Sequence, residues 1–181
     1  MKEKQQANIE YDSFRPPVTD QELTQLLDTL RQRGELVTTV ESLTAGMIAA
    51  RIADIPGSSD VLRRAFVTYS DEAKREMVKV EQSTLDRWTA VSRQTAKEMA
   101  EGGCREAGAD VCVSATGYAG PPSDPEDTSV GHVFLGCCCH GDTLVEEHWY
   151  SGERNEVRAQ AMNDALRLLE RMEFMKEAEG I

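Results

Sequence analysis

Residues 36–55 read LVTTVESLTAGMIAARIADI, and this stretch decides the fold that we predict. Its first five residues are rich in β-branched side chains, which favour a short buried strand. Residues 44–55 are rich in Ala and Ile and stop at Pro56-Gly57, which predicts a helix that ends there. A strand leading directly into a helix is the repeating unit of α/β proteins. Ser42 lies at the junction of the two elements.

The sequence on both sides continues this alternation. A first helix is predicted from Thr19 or Asp20 to Gly34, because its leucines have helical spacing. Further strands are predicted at 65–69, 111–115, 130–139 and 144–150, and further helices at 71–78, from Ser83, from Ser92 to near Gly108, and at 153–175. His140-Gly141-Asp142 predicts a hairpin turn. We therefore expect a three-layer α/β/α fold with a mixed sheet and a late β-hairpin.

The length of 181 residues is that of one domain. Residues 1–17 are predicted to be a flexible leader that ends at Pro16-Pro17, residues 18–175 a single domain, and residues 176–181 a frayed tail. The chain contains no apolar run near 18 residues and no secretory signal at its N-terminus. A cytoplasmic protein that does not enter a membrane is therefore expected.

Charge and cysteine content limit the partners. The net charge of −12 disfavours nucleic-acid binding, and an anionic substrate would need a local cluster of Arg or Lys. Five cysteines include the run Cys137-Cys138-Cys139, without the spacing of a metal site. Small buried side chains in a reduced compartment are the favoured interpretation, with Cys138 facing the opposite side of its strand, and a metal or redox site is the alternative.

Three strand ends should meet at one edge of the sheet, where open α/β proteins bind ligands. These ends carry Glu41-Ser42, residues 69–74 and residues 116–120. A serine nucleophile needs a base, and the three histidines come late in the chain, so Lys74 with a lowered pKa is the candidate. Amides of residues 43–46 at the helix start could stabilise an oxyanion. The alternative is that Ser42 only caps a helix and that Lys74 is solvated.

A set of motifs in one order strengthens the functional interpretation. They are Ser42-Leu43-Thr44-Ala45-Gly46, Ile55-Pro56-Gly57-Ser58-Ser59, Phe66-Val67-Thr68-Tyr69-Ser70 with Lys74, Ala90-Val91-Ser92, Thr116-Gly117-Tyr118-Ala119-Gly120-Pro121, and Ser151-Gly152-Glu153-Arg154 with Val157-Arg158. Over about residues 20–172 the chain resembles the CinA C-terminal domain family, the nicotinamide-nucleotide amidohydrolases. It resembles the stand-alone form, because the larger N-terminal domain of full-length CinA proteins is lacking.

The resemblance implies hydrolysis of the carboxamide of nicotinamide mononucleotide to nicotinate mononucleotide and ammonia. It implies Ser42 as nucleophile, Lys74 as its base and Tyr69 beside them. The substrate-binding residues expected on this basis are Thr44, Gly46, Thr116, Gly117, Gly120, Arg154 and Arg158, with Arg154 or Arg158 holding the substrate. The resemblance also implies that no metal or cofactor is needed, that the partner is a small nucleotide, and that the protein forms a homo-oligomer.

The sequence departs from the family pattern in two places. The usual Ser-Cys-Thr-Gly-Gly has Leu43 in place of Cys and Ala45 in place of the first Gly. The loop after Thr116-Gly117 is acidic, with Asp124, Glu126 and Asp127. Three hypotheses therefore stay open: deamidation of nicotinamide mononucleotide, hydrolysis of a different and less anionic amide, and a non-catalytic binding or regulatory paralogue.

Overall fold

The computed structural model of the protein describes residues 15–122, 124 and 128–179. The helices are α1 (Asp20–Arg33), α2 (Met47–Ala53), α3 (Asp71–Val78), α4 (Gln82–Trp88), α5 (Arg93–Ala107) and α6 (Arg154–Glu179), with a 3₁₀ turn at Ser58–Asp60. The strands are β1 (Val37–Glu41), β2 (Phe66–Val67), β3 (Val111–Gly117), β4 (His132–Cys139) and β5 (Asp142–Trp149). The predicted leader over residues 1–14, tail residues 180–181 and loop residues 123 and 125–127, which include Glu126 and Asp127, lie outside the described residues.

The five strands form one mixed sheet in the order β2-β1-β3-β4-β5. The first three strands are parallel, and β4 and β5 are antiparallel additions at one side. Between β4 and β5 the turn consists of His140 and Gly141, both with positive φ, as the tight hairpin turn that twists with its strands requires. The predicted α/β class, the mixed sheet and the late hairpin are confirmed.

Helices cover both faces of the sheet. On one face, the leucines of α1 and the apolar sides of α2 and α6 pack on residues such as Val37 and Val113. On the other face, Val40 and Cys112 pack against Met99 of α5 and the shorter helices α3 and α4. Alternate residues of a strand point to opposite faces, so these two cores follow directly from the strand sequences.

Local boundaries differ from the predictions where backbone geometry dominates. The helix expected from residue 44 begins at Met47, because Ala45 and Gly46 both have positive φ and cannot belong to a right-handed helix. The strand expected at 65–69 has only two residues. The helix expected from Ser83 begins at Gln82, with Glu81 at the cap position, so Ser83 lies inside the helix and not at its cap.

Both ends of the predicted domain also need correction. Residues 16–18 are held by α6: the Pro16 carbonyl accepts hydrogen bonds from Asn163 and Arg167, and Val18 is buried with its amide on Asn163. The tail predicted to fray from residue 176 continues α6 to Glu179, and Lys176 is buried beside Asp142 in an ion pair. Side-chain contacts that sequence spacing does not encode fix both segments.

The cysteines are part of the packed interior. Cys112, Cys137, Cys138 and Cys139 are buried, and none of the five forms a disulfide. Cys137 and Cys139 belong to the core under α6, whereas Cys138 pairs with Cys112 of β3 on the opposite face, as the alternation predicts. Within the part of the chain that the structure describes, no helix combines the length and the apolar character of a membrane span.

Candidate active site

A pocket of about 400 Å³ opens where the three parallel strands end. Register places these ends together, since Glu41 of β1 lies beside Val67 of β2 and Ala115 of β3. The loop after β3 and the first residue of α6 complete its walls. Seven sequence-predicted site residues line it: Ser42, Tyr69, Lys74, Thr116, Gly117, Gly120 and Arg154. Thr44, Gly46 and Arg158 are not among the described residues of its lining.

Ser42 and Lys74 face each other in this pocket. The sheet ladder continues one residue beyond β1 on each side: the Ser42 amide donates to Ala115 O, and the Thr68 amide donates to Glu41 O. These bonds fix the backbone at Ser42 and at Thr68, the residue whose carbonyl contacts Lys74. Lys74 Nζ lies 3.4 Å from Ser42 Oγ and donates to the Thr68 carbonyl at 3.1 Å. The amine is therefore close enough to exchange a proton with the hydroxyl.

The surroundings of Lys74 favour its neutral form. The residue is only 1% exposed although it carries an amine, and this burial lowers its pKa from the ordinary 10.5. Asp71, one helical turn earlier, has a carboxylate oxygen 3.9 Å from Nζ and opposes this effect by raising the pKa. A buried amine next to a hydroxyl is what a lysine base requires.

The histidines lie elsewhere in the described structure. His132, His140 and His148 are on or next to β4 and β5, and each has a ring nitrogen within 3.2 Å of a glutamate oxygen. None of them is among the described residues of the pocket lining. Lys74 is therefore the basic side chain that lies within hydrogen-bond distance of Ser42 in the described part of the chain.

Glu41 occupies the start of α2, which changes the predicted oxyanion site. Its fully buried carboxylate accepts hydrogen bonds from the amides of Gly46, Ile48 and Ala49 and from the Thr39 hydroxyl. A carboxylate at a helix N-terminus satisfies the free amides and the helix dipole. The prediction that Gly46 offers its amide to a ligand is therefore wrong in this conformation.

Two amides of the predicted set stay available beside the nucleophile. Ala45 N donates to Ser42 O, but the amides of Leu43 and Thr44 donate to no atom in the described part of the chain. Both residues are buried, and Leu43 lines the pocket. Two successive backbone amides without a partner in the described residues, directly after a serine, are donors of the kind that stabilise an oxygen anion.

Ala45, which stands where the family motif has Gly, has the left-handed backbone conformation, with φ of +50°. Its side chain is exposed and is not among the described pocket-lining residues. Gly46 follows with φ of +96°, where a β-carbon would also be strained. The exchange of Gly for Ala at position 45 therefore strains the backbone next to Ser42 without placing a methyl group in the pocket.

Tyr69 and Arg154 form the mouth of the pocket. Arg154 Nη2 donates to Tyr69 Oη at 2.9 Å, and Nη1 donates to the Gly120 carbonyl. Tyr69 is 58% exposed, so its hydroxyl hydrogen is free to point at a bound molecule. This pair brings a cation to the rim of the pocket in a strongly acidic protein.

Arg158, the other predicted substrate ligand, is used within the protein. Its Nε donates to Leu43 O at 2.9 Å and its Nη2 to Thr44 O at 3.1 Å. The remaining nitrogen, Nη1, donates to Asn155 Oδ1 at 3.1 Å. The Thr116 hydroxyl is used in a similar way, since it donates to the carbonyl of Ala90, which also lines the pocket.

Two contributors were missed by the sequence reasoning. Glu41 was placed at a strand end without a role, although an acid shortly before a predicted helix is a signal, because helix N-termini favour negative charge. Asp71 was predicted only as the first residue of a helix, although its i,i+3 spacing from Lys74 puts the two side chains on one side of α3. The free amides of Leu43 and Thr44 have no sequence signal of their own, because they depend on the local backbone path.

Fold and pocket together define an α/β protein with a pocket, lined by a serine and a buried lysine, at the carboxyl ends of its parallel strands. The family model of the CinA C-terminal domain matches residues 20–173. The chain belongs to the CinA C-terminal domain family, and the resemblance described from its motifs is confirmed.

Individual relatives agree with this assignment. The chain is 43% identical over 157 residues to nicotinamide-nucleotide amidohydrolase PncC of Escherichia coli K12, a match that covers 84% of this chain and 95% of PncC. It is 42% identical over 135 residues to a longer Clostridium novyi protein named for competence-damage induction, covering 75% of this chain and only 33% of that protein. The crystal structure of competence/damage inducible protein CihA from Agrobacterium tumefaciens superposes with a TM-score of 0.79 at 37% identity, covering 87% of this chain and 97% of that one.

Proposed function

We propose that this protein hydrolyses the carboxamide of nicotinamide mononucleotide by nucleophilic catalysis with Ser42 and Lys74. The observation that carries the proposal is the buried amine of Lys74, 3.4 Å from the Ser42 hydroxyl inside a pocket. The substrate class is supported by the relative named nicotinamide-nucleotide amidohydrolase, with which the chain shares 43% identity.

In the first half of the reaction, Ser42 Oγ attacks the carboxamide carbon and neutral Lys74 takes the hydroxyl proton. The carbonyl oxygen becomes an oxyanion, which the amides of Leu43 and Thr44 stabilise. The tetrahedral intermediate then collapses, Lys74 returns the proton to the departing nitrogen, and ammonia leaves. Ser42 now carries the nicotinate group as an ester.

In the second half, water attacks the ester carbon and gives its proton to Lys74. On collapse of the second tetrahedral intermediate, the bond to Ser42 Oγ breaks and Lys74 returns this proton to Oγ, which releases nicotinate mononucleotide and restores both the serine hydroxyl and the neutral amine. The sum is one amide and one water converted into one carboxylic acid and one ammonia. Arg154 and Tyr69 at the pocket mouth bind the phosphate end of the substrate. The base of the acidic loop, which includes Pro121 and Ser129, also lines the pocket.

Ammonia release from nicotinamide mononucleotide tests this function. We expect turnover by the wild type and a loss of at least about a thousandfold in kcat for Ser42→Ala and for Lys74→Ala, because nucleophile and base act as one unit. Lys97→Ala is the matched control, since Lys97 is an exposed lysine of α5 that pairs with Glu101.

Other outcomes point to the other hypotheses. Turnover that survives Ser42→Ala would exclude the proposed nucleophile whatever the substrate. Calorimetric binding of the nucleotide without turnover by the wild type would identify a non-catalytic binding protein. Activity on uncharged nicotinamide derivatives, with none on the mononucleotide, would indicate a less anionic amide substrate.

A further inference from the structure

We infer that Arg158 is a positioning residue that orients the oxyanion-binding amides of Leu43 and Thr44 and does not bind the substrate phosphate. The inference rests on the proposed function, because it concerns the transition state of that same site. Its starting observation is that Arg158 directs two of its nitrogens at two successive backbone carbonyls, 115 and 114 residues earlier in the chain, immediately after Ser42.

The first contact acts on Thr44 directly. In a trans peptide unit the carbonyl and the amide point in opposite directions. Arg158 Nε holds the carbonyl of Leu43 at 2.9 Å, and the same rigid unit carries the amide of Thr44. The Thr44 amide is therefore turned away from the guanidinium, and it has no partner within the described residues.

The second contact acts on Leu43 through one further hydrogen bond. Arg158 Nη2 holds the carbonyl of Thr44 at 3.1 Å, which fixes the unit that carries the Ala45 amide. That amide donates to Ser42 O at 3.2 Å and so fixes the unit that carries the Leu43 amide. One side chain thereby sets the direction of both unpaired amides.

The remaining contacts argue against phosphate binding. Arg158 is not among the described pocket-lining residues, whereas Arg154, one turn earlier on α6, is. Three of the five N–H donors of Arg158, one on each nitrogen, already hold protein oxygens, and two of these oxygens are the backbone carbonyls next to Ser42, so turning the guanidinium toward a phosphate would break those contacts. The two arginines of the motif therefore have different roles: Arg154 lines the pocket, and Arg158 binds the backbone next to Ser42.

Steady-state kinetics with nicotinamide mononucleotide separate the two roles. We expect Arg158→Ala to lower kcat by about tenfold to a hundredfold with KM within about twofold of wild type, because oxyanion donors act in the transition state. Arg158→Lys, which keeps the charge but cannot hold two carbonyls in a fork, should lose part of this kcat. Asn155→Ala removes only the third partner and serves as the matched control, with unchanged kinetics. A raised KM with unchanged kcat in Arg158→Ala would overturn the inference and assign the side chain to substrate binding.

Labelling of Ser42 by a fluorophosphonate tests the inference without the substrate. The phosphoryl oxygen of this reagent occupies the oxyanion position, so labelling followed by mass spectrometry should slow at least tenfold in Arg158→Ala, and added guanidinium at millimolar concentration should restore part of the rate. An unchanged rate, or no labelling of Ser42 in the wild type, would overturn the inference. If the wild type releases no ammonia from the mononucleotide, the proposed function fails and the labelling rates alone decide. Arg158→Lys carries the comparison if thermal melts show that Arg158→Ala does not fold.

Discussion

Replacing Ala45 by Gly should make the protein more stable. Ala45 has φ of +50°, in the left-handed region, where an L-residue other than Gly loses about 1–2 kcal/mol. Glycine removes this strain but adds backbone freedom to the unfolded chain, which costs about 0.4–1 kcal/mol. The net effect is an increase of about 0.5–1 kcal/mol in the free energy of unfolding, or about 1–4 °C in Tm for a chain of this length.

The chain offers a matched control five residues away. Ala50 is exposed, like Ala45, but lies within α2 with helical geometry. Ala50→Gly should therefore lower the free energy of unfolding by about 1 kcal/mol. The same change of side chain is expected to have opposite signs at the two positions, and urea denaturation followed by circular dichroism measures both.

The activity of Ala45→Gly is informative as well. Because the Ala45 side chain is exposed and is not part of the described pocket lining, its removal should leave kcat/KM within about twofold of wild type. A variant that is destabilised like Ala50→Gly would refute the argument from backbone strain. A large gain in kcat/KM would show instead that the strain at Ala45 misplaces Ser42.

Three further predictions concern the charged groups around Ser42. Asp71→Asn should shift the rising limb of the pH profile of kcat/KM to lower pH, because the Asp71 carboxylate raises the pKa of Lys74. Glu72→Gln removes a neighbouring charge and serves as the control. An equal shift of the pH profile in both variants would contradict a specific effect of Asp71. Lys74→Met should abolish activity but raise stability at pH 7. Burial lowers the pKa of Lys74 below 10.5, so between the folded and unfolded pKa values the unfolded chain binds more protons than the folded protein. The free energy of unfolding of the wild type should therefore rise with pH through this window, whereas that of Lys74→Met should not. Melting temperatures measured across that pH range would show the difference, and parallel curves would argue against the lowered pKa. Glu41→Gln should lower the free energy of unfolding by about 2 kcal/mol, because three backbone amides lose a charged acceptor. If urea denaturation shows no change, water or a neighbouring group replaces the Glu41 carboxylate as acceptor.

The order of elements was predictable because side-chain alternation and helical spacing are local signals. The strand-turn-helix unit around Ser42 and the His140-Gly141 hairpin turn are examples in which residue type and backbone requirement agree. Boundaries were less predictable where tertiary contacts decide. The hold of α6 on Pro16 and the burial of Lys176 come from residues more than 30 positions away, and no local pattern encodes them.

The candidate site divides in the same way. The order of the motifs predicted that Ser42, Tyr69 and Lys74 belong to one site, and all three line one pocket of the structure. Sequence could not distinguish the two arginines of α6, since both have the charge and the spacing to reach a phosphate. Their hydrogen bonds distinguish them: Arg158 donates to the carbonyls of Leu43 and Thr44, whereas Arg154 donates to Tyr69 at the mouth of the pocket.

The charge balance at this mouth constrains how an anionic substrate can bind. Arg154 has five N–H donors, and its contacts with Tyr69 and Gly120 come from the two terminal nitrogens, one bond each. The other N–H groups of this guanidinium can therefore bind a phosphate while both contacts are kept. Tyr69 accepts from Arg154, so its own hydrogen can be donated to the same phosphate. Under the proposed function, this cation and this hydroxyl, held together at 2.9 Å, would act as a local anion site, so the substrate would not have to be attracted by the protein as a whole, whose net charge is −12.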